Sequence, residues 1–322
     1  MKRILISHND LDGHGVVVLA KYFKKYLQLH DIIIEDYSFE ENEETLNYIK
    51  LYDEIIIADL SFPEETYLEL IKLNKKVSIF DHHTTTEWIS KYEGSKWDES
   101  KCGTKIFWEE FVKPKINRYK PIIDDFVKLV DTYDRWQQDH ELWNEAKKLN
   151  SVIYGLRNFY EIEDIDKSKP FYDLMIKKFN KLNNWRWTDK ELDIIRKADL
   201  REKEMLDEAK ANLQVRKDSK GYTFGVCRLP SKISLVASEI LKQRQDLVYL
   251  VIANTYKGMT GKISFRSRDG FDCTEIAVAN GHKGAAAATI TEEEINNFWD
   301  NNISFSYEDE YNRTNNIFRK VV

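Results

Sequence analysis

The chain has 322 residues, 42% hydrophobic and 32% charged, a composition that fits two globular domains and excludes a disordered or membrane-embedded protein. A formal net charge of −6 argues against a broad basic surface for long duplex nucleic acid, yet leaves room for a short polyanion. No apolar run approaches the roughly 18–20 residues of a spanning helix. The start, Met-Lys-Arg-Ile-Leu-Ile-Ser, is too short for a signal peptide. Cys102, Cys227 and Cys273 form neither a metal-type pair nor a disulfide framework, so a reduced, cytoplasmic protein is expected.

Arg3–Ser7 reads as a first strand entering His8-Asn9-Asp10-Leu11-Asp12-Gly13-His14-Gly15. The apolar positions Val16, Val17, Leu19, Ala20, Phe23 and Leu27 then predict a helix over 16–28. Ile32–Glu35 is a second strand, and Glu54–Asp59 a third that ends on an acid. Pro63 suits the first turn of a helix to about residue 73. Val77–Phe80 is a fourth strand, running directly into Asp81-His82-His83. Strands separated by helical stretches imply right-handed crossovers and a parallel sheet.

Residues 84–103 read as an irregular connection, with Thr104 capping a helix through about Val112. Pro121 opens another helix, which ends at Asp131-Thr-Tyr-Asp134-Arg-Trp136. Residues 140–180 are helical and rich in Trp, Tyr and Phe, with a break at Pro170. Thr188-Asp-Lys-Glu191 is a capping box that starts a charged amphipathic helix to about Val215. Beyond it, Tyr222–Leu229, Leu247–Asn254 and Met259–Ser267 predict strands, and Ser234–Leu241 and Thr274–Ala279 helices. Gly281-His282-Lys283-Gly284 reads as a Gly-rich loop before a run of alanines, and Thr291 caps a final helix. The expected fold is α/β: a parallel-sheet domain over 1–187, a helical connector over 188–215 and a smaller α/β domain over 216–322.

Three of the four strands finish in Asp or His, at the carboxyl edge where open parallel sheets bind ligands. Alone, Asp-His-His would more often be surface polarity, and Asn-Asp-Leu-Asp-Gly a turn or a calcium loop. Together they assemble His8, Asp10, Asp12, Asp59, Asp81, His82 and His83 as candidate ligands. Residues two apart in an extended segment share a face, which would let His8, Asp10 and Asp12 converge. Carboxylates and imidazoles without thiolates favour Mn²⁺ or Mg²⁺ over structural zinc. More acids than one ion needs suggest two ions about 3.5–4 Å apart, a pair that activates water and clamps a phosphoryl group.

The same stretches resemble the DHH phosphoesterase family, named for the motif seen here as Asp81-His82-His83. Ser7-His8-Asn-Asp-Leu-Asp12-Gly is similar to its first motif, Ala58-Asp59-Leu-Ser to its second and Tyr133-Asp134-Arg-Trp136 to its fourth. Ser264-Phe-Arg266-Ser and Gly281-His282-Lys-Gly-Ala-Ala resemble the substrate-binding domain that accompanies them. The resemblance runs from about residue 4 to 290, and its wording is most similar to the nanoRNase B-type oligoribonucleases. It implies one ion on His8, Asp10 and Asp59 and another on Asp12, Asp59, His82 and Asp134, with Asp59 bridging. Asp131, one turn before Asp134, could replace it.

Asp81 would then orient an imidazole, and His83 would meet the scissile phosphate or the nucleophile. Arg266, Gly281, His282 and Lys283 would hold a substrate phosphate, although relatives carry three glycines where this chain has Ala279-Asn280-Gly281. Arg268 and Lys283 read equally well as solvated charge. Trp136 and Trp185-Arg-Trp187 read as packing more than as base platforms, and His14, His30 and His140 as ordinary residues. The implied activity is hydrolysis of short single-stranded RNA or DNA in a cleft between the domains, by a chain that could be a homodimer. A small-nucleotide or cyclic-dinucleotide phosphoesterase, a RecJ-like exonuclease and a non-catalytic nucleotide-binding regulator are the rival readings.

Overall fold

Short runs rich in isoleucine, Arg-Ile-Leu-Ile-Ser-His and Glu-Ile-Ile-Ile-Ala, supply two interior strands of a parallel sheet. The computed structural model describes residues 1–35, 43–158, 167–218, 220–254, 262–268, 270–276, 280–289, 304–305 and 318–319. The chain divides into two compact units, Met1–Arg196 and Lys197–Val322.

In chain order the first unit contains β1 (Arg3–His8), α1 (Leu11–Tyr22), α2 (Lys24–Leu27), β2 (Asp31–Glu35), α3 (Glu43–Ile49) and β3 (Glu54–Ala58). Then come α4 (Glu64–Lys72), β4 (Lys76–Asp81), β5 (Lys96–Trp97) and α5 (Gly103–Ile106), which continues in a π-helical turn over Phe107–Val112. α6 (Pro121–Asp134), α7 (Trp143–Asn158) and α8 (Lys169–Lys181) complete it. The sheet is parallel throughout, in the order β2-β1-β3-β4-β5. Ile6 lies opposite Ile33 on one side and Ile57 on the other.

Strand alternation sorts the side chains into two cores. Leu5, Ile56, Ala58 and Phe80 pack with the buried faces of α1, α6, α7 and α8. Ile4, Ile6, Ile55, Ile57, Val77 and Ile79 pack on the other side with Tyr67 and Leu70 of α4. Both faces are covered, as a parallel sheet requires. The chain leaves β1 toward β2 on one side and toward β3 on the other, so the topological switch point lies between β1 and β3.

α9 (Asp189–Ala211) carries the boundary between the units. Its start is the predicted capping box: Thr188 donates from its amide (2.8 Å) and its hydroxyl (2.6 Å) to Glu191. The second unit continues with β6 (Gln214–Lys217), β7 (Thr223–Leu229), α10 (Ile233–Gln243), β8 (Tyr249–Asn254), β9 (Lys262–Ser267), β10 (Asn280–His282) and β11 (Ala285–Thr289). These form a mixed sheet ordered β10-β11-β9-β8-β7-β6, with β7 and β8 parallel. Phe224, Val226, Tyr249, Val251 and Phe265 line one face, and Cys227, Leu250 and Ile252 meet α10 on the other. Among the described residues no helix is long and apolar enough to cross a membrane.

Several local expectations are corrected. α1 starts at Leu11, not at residue 16, because Asp10 caps it by accepting from the Gly13 amide at 3.0 Å. Gly13 is tolerated there for a steric reason: a Cβ on it would run into the carbonyl of His8. Thr104 does not cap the next helix. The N-cap is Cys102, and Thr104 is fully buried inside the first turn. The stretch after the two histidines is partly regular, with a 3-10 run over Thr84–Lys91 and the short β5. β6 begins at Gln214, where the helix was expected to run on to Val215. Gly281 and His282 lie on a strand paired with Ala286 and Ala285, not in a loop. Cys273–Glu275 is a single 3-10 turn that overlaps the start of the short helix expected over Thr274–Ala279, whose last residues fall outside the described ones, as does the helix expected from Thr291.

Candidate metal and catalytic centre

The switch-point strands deliver the first donors. His8 is the last residue of β1, and Asp59 directly follows β3 with a left-handed backbone (φ 64°). Such a conformation is uncommon for a residue with a side chain, and Asp is among the types that tolerate it. Asp10 caps α1, and Asp12 lies in its first turn. His8, Asp10 and Asp12 therefore do not converge by strand alternation, as the sequence suggested. His8 ends a strand, Asp10 sits at the bend, and helical geometry brings Asp12 back to the same edge. Asp81 ends β4, with His82 and His83 just beyond. Asp134 is the last residue of α6.

Among the described residues three overlapping groups of donors result, one of them Asp59, Asp81, His82 and His83. His8 Nδ1 lies 3.1 Å from Asp10 Oδ2 and 3.7 Å from Asp59 Oδ2. His82 Nε2 lies 3.3 Å from Asp59 Oδ1, 3.6 Å from Asp134 Oδ2 and 3.9 Å from Asp12 Oδ2. His8, Asp10 and Asp59 thus present ligand atoms close enough to surround one ion, and so do Asp12, His82 and Asp134. Asp59 turns one carboxylate oxygen toward each of these two groups.

The donor chemistry fits divalent cations. Asp59 Oδ2, His82 Nε2 and Asp134 Oδ2 are buried and have no hydrogen-bond partner among the described residues. Buried polar atoms are nearly always paired, so orphans clustered on one edge fit a cation better than they fit packing. Burial, reinforced by the neighbouring acids, pushes the carboxyls of Asp59 and Asp134 well above the ordinary range. Burial also acts to raise Asp10, but adjacent His8 and the Gly13 amide outweigh it and hold Asp10 low. Burial lowers His82, keeping it neutral and able to act as a ligand.

The resemblance gives Asp81 the task of orienting an imidazole and leaves Asp131 as a substitute for Asp134; both carboxylates are engaged by neighbouring donors. Asp81 is fully buried; it accepts from the His82 amide at 2.8 Å, pairs with His83 Nδ1 at 2.8 Å and accepts from Thr86 Oγ1 at 2.7 Å. Burial works against a charged His83, yet the bond from Asp81 prevails and raises its pKa. Trp97 Nε1 donates to the His83 carbonyl at 2.8 Å and the Thr86 amide at 3.0 Å, fixing its backbone. Asp131 accepts from the Cys102 amide and from Lys105 Nζ, each at 2.9 Å, whereas Asp134 faces His82.

Other candidates resolve into structural roles. His14 is fully buried, with Nδ1 2.6 Å from the Tyr172 hydroxyl and Nε2 3.2 Å from Asn9 Oδ1. Trp136 is half-buried and meets Tyr133 and Trp143 edge-on. Trp185 stacks on Phe126, and Lys178 lies over both Trp185 and Trp187 while pairing with Glu191 at 2.8 Å. Arg266 donates to Ser234 Oγ and to the Phe265 and Ala286 carbonyls. Lys283 is exposed. Arg268 is not solvated charge: it donates to the Leu241 and Arg244 carbonyls at the end of α10 and to Gln245.

Fold and centre together define a two-unit α/β protein with a buried His/Asp cluster at the switch point of a parallel sheet. A DHHA1 domain model matches residues 226–305. Over 309 residues the chain is 24% identical to the oligoribonuclease NrnB of Bacillus subtilis, covering 90% of this chain and 73% of that protein. It is also 24% identical over 341 residues to a 3′,5′-cyclic-nucleotide phosphodiesterase of Helicobacter pylori, covering 88% and 92%. A pGpG-specific phosphodiesterase, PggH from Vibrio cholerae, shares the fold with a TM-score of 0.54 and 13% identity, over 92% of this chain and 96% of that one. The matched DHHA1 domain and these relatives support a reading of the chain as a DHH-type phosphoesterase.

Proposed function

We propose that this chain is a two-metal phosphodiesterase that removes nucleoside monophosphates from short single-stranded oligonucleotides, with RNA as the first substrate to test. The observation that carries it is Asp59, whose two oxygens face two separate donor groups. The first ion would be held by His8, Asp10 and Asp59, the second by Asp12, Asp59, His82 and Asp134. When bound, a pair of divalent ions supplies an acidified water and screens the charge that develops on a phosphoryl group.

The protein's own part begins with Asp59, which would set the spacing of the two donor sets. The bond to Asp81 favours protonation of His83, which would donate a hydrogen bond to the scissile phosphate. Arg266, Gly281, His282 and Lys283 are proposed to contact a substrate phosphate. Likeness to an oligoribonuclease along 90% of the chain supports this reading, and equal identity to the Helicobacter pylori enzyme along 88% of it keeps a cyclic-nucleotide phosphodiesterase as the second reading. Mn²⁺ is the preferred ion and Mg²⁺ the alternative.

The test is a Mn²⁺-dependent assay on end-labelled RNA dimers to pentamers, beside a 20-mer, 3′-phosphoadenosine 5′-phosphate and a cyclic dinucleotide. Faster hydrolysis of the 2–5-mers is expected. Equal or faster cleavage of the 20-mer, or turnover confined to the cyclic or bisphosphate nucleotide, would overturn the oligonucleotide reading.

A further inference from the structure

The start of α5 reaches into the centre without offering it a ligand. The first amides of a helix have no partner within the helix, and here three in a row are taken by carboxylates from other elements. Cys102 donates to Asp131 Oδ1 at 2.9 Å, Gly103 to Asp12 Oδ2 at 2.6 Å and Thr104 to Asp12 Oδ1 at 2.7 Å. The Thr104 hydroxyl donates to the Asp12 carbonyl as well. Asp12 is therefore gripped through both carboxylate oxygens and its backbone by two consecutive residues.

That grip requires two missing side chains. A Cβ on Gly103 would lie 2.6 Å from Asp59 Cβ and 2.8 Å from Asp59 Cα, closer than real Cβ atoms approach. A Cβ on Gly15, one turn into α1, would run into Thr104 Oγ1 and lie 3.2 Å from its Cγ2. Gly15 makes room for Thr104, and Gly103 makes room for Asp59.

We propose that Gly103 and Thr104 are positioning residues for the donor set formed by Asp12, His82 and Asp134. They aim Asp12 at that set, and the bare Cα of Gly103 fixes how near Asp59 can come. The proposal rests on the two-ion reading above. Lost hydrogen bonds behind a ligand typically weaken metal affinity by about 10–100-fold. Thr104→Val keeps the shape and the amide but loses the hydroxyl bond, and its weaker-bound ion should fall in affinity within that range while the other is unchanged. Thr104→Ser should restore it. Gly103→Ala should bind fewer than two ions, because the added methyl displaces the shared Asp59.

The experiment is Mn²⁺ titration of the full chain without substrate, read by calorimetry and by electron paramagnetic resonance. Metal-free melting serves as the check on folding. If the wild type takes two ions and folded Thr104→Val and Gly103→Ala each take two with unchanged affinity, the positioning role is overturned. Should Gly103→Ala fail to fold, the Thr104→Val and Thr104→Ser pair decides. A wild type that takes fewer than two ions would sink the two-ion reading itself, and the positioning role with it.

Discussion

The two sheets treat their polar side chains in opposite ways. In the first unit the edge after β1, β3 and β4 gathers Asp10, Asp12, Asp59, His82 and Asp134, and several of their buried atoms lack a hydrogen-bond partner among the described residues. In the second unit the arginines on β9 and just after it are already engaged: Arg266 with Ser234 and two carbonyls, Arg268 with the end of α10. Unpaired buried charge is costly unless something compensates it. The first unit thus stores an unmet demand for cations, and the second presents side chains that its own backbone has satisfied.

The sharpest break of this contrast is Asp59→Asn, which keeps the shape but removes one negative charge that faces both donor groups. Turnover should fall by on the order of a thousandfold, about 4 kcal/mol of transition-state stabilisation, while binding of a short oligonucleotide remains measurable by fluorescence anisotropy. Full Mn²⁺-supported activity would show that Asp59 is not shared. Next, Asp134→Ala and Asp131→Ala separate ligand from support. Asp134→Ala should lose most activity and one bound ion. Asp131→Ala should keep most activity per folded molecule but lose about 1–3 kcal/mol of stability by stranding the Cys102 amide, measured by urea unfolding.

A milder effect is expected in the second unit. Arg266→Ala should raise KM by about tenfold, the worth of roughly 1.4 kcal/mol, with kcat little changed. If KM does not move, Arg266 serves only to hold Ser234 and the strand carbonyls.

The remaining effects are in pH, and they are small near neutrality. His14 is pushed down to about 3, chiefly by burial and then by the nearby charge of Arg157. An unfolded histidine titrates near 6.5, so between these values the unfolded chain binds more protons. Stability from this residue is complete above about pH 6.5 and falls as pH drops toward 3, by at most about 1.4 kcal/mol per pH unit. His14→Asn should flatten that acid limb in melting curves. Asp59 and Asp134 act with the opposite sign when metal is removed. Their raised carboxyls favour the folded state at low pH and lose that advantage as pH rises through the elevated range. Chelation should therefore lower the melting temperature more at neutral than at acidic pH.

Much of the first unit was legible in the sequence because a parallel sheet writes itself as short apolar runs. The abrupt change from Val-Ser-Ile-Phe to Asp-His-His marks a strand end without help from tertiary structure. Asp131 and Asp134 could not be separated, since both lie on one helix face and only the position of the Cys102 amide tells them apart. Gly103 carried no signal: its role depends on Asp59, 44 positions earlier, coming within van der Waals distance. β6 was hidden because the charged helical pattern of α9 runs on into it. The partner of Arg268 was not legible because a helix end offers carbonyls to any nearby cation, and sequence does not record which arginine is near.

The left-handed backbone at Asp59 constrains what a mutational scan of this chain would find. Only Gly, Asn and Asp adopt that conformation readily, so the other residue types at position 59 start with a backbone penalty of about 1–2 kcal/mol before any chemistry is considered. A library screened only for abundance, with no selection for activity, should already be depleted at position 59. Position 10, whose backbone is extended and whose side chain caps α1, should in that screen favour the residues able to cap a helix and narrow to Asp only when hydrolysis is selected.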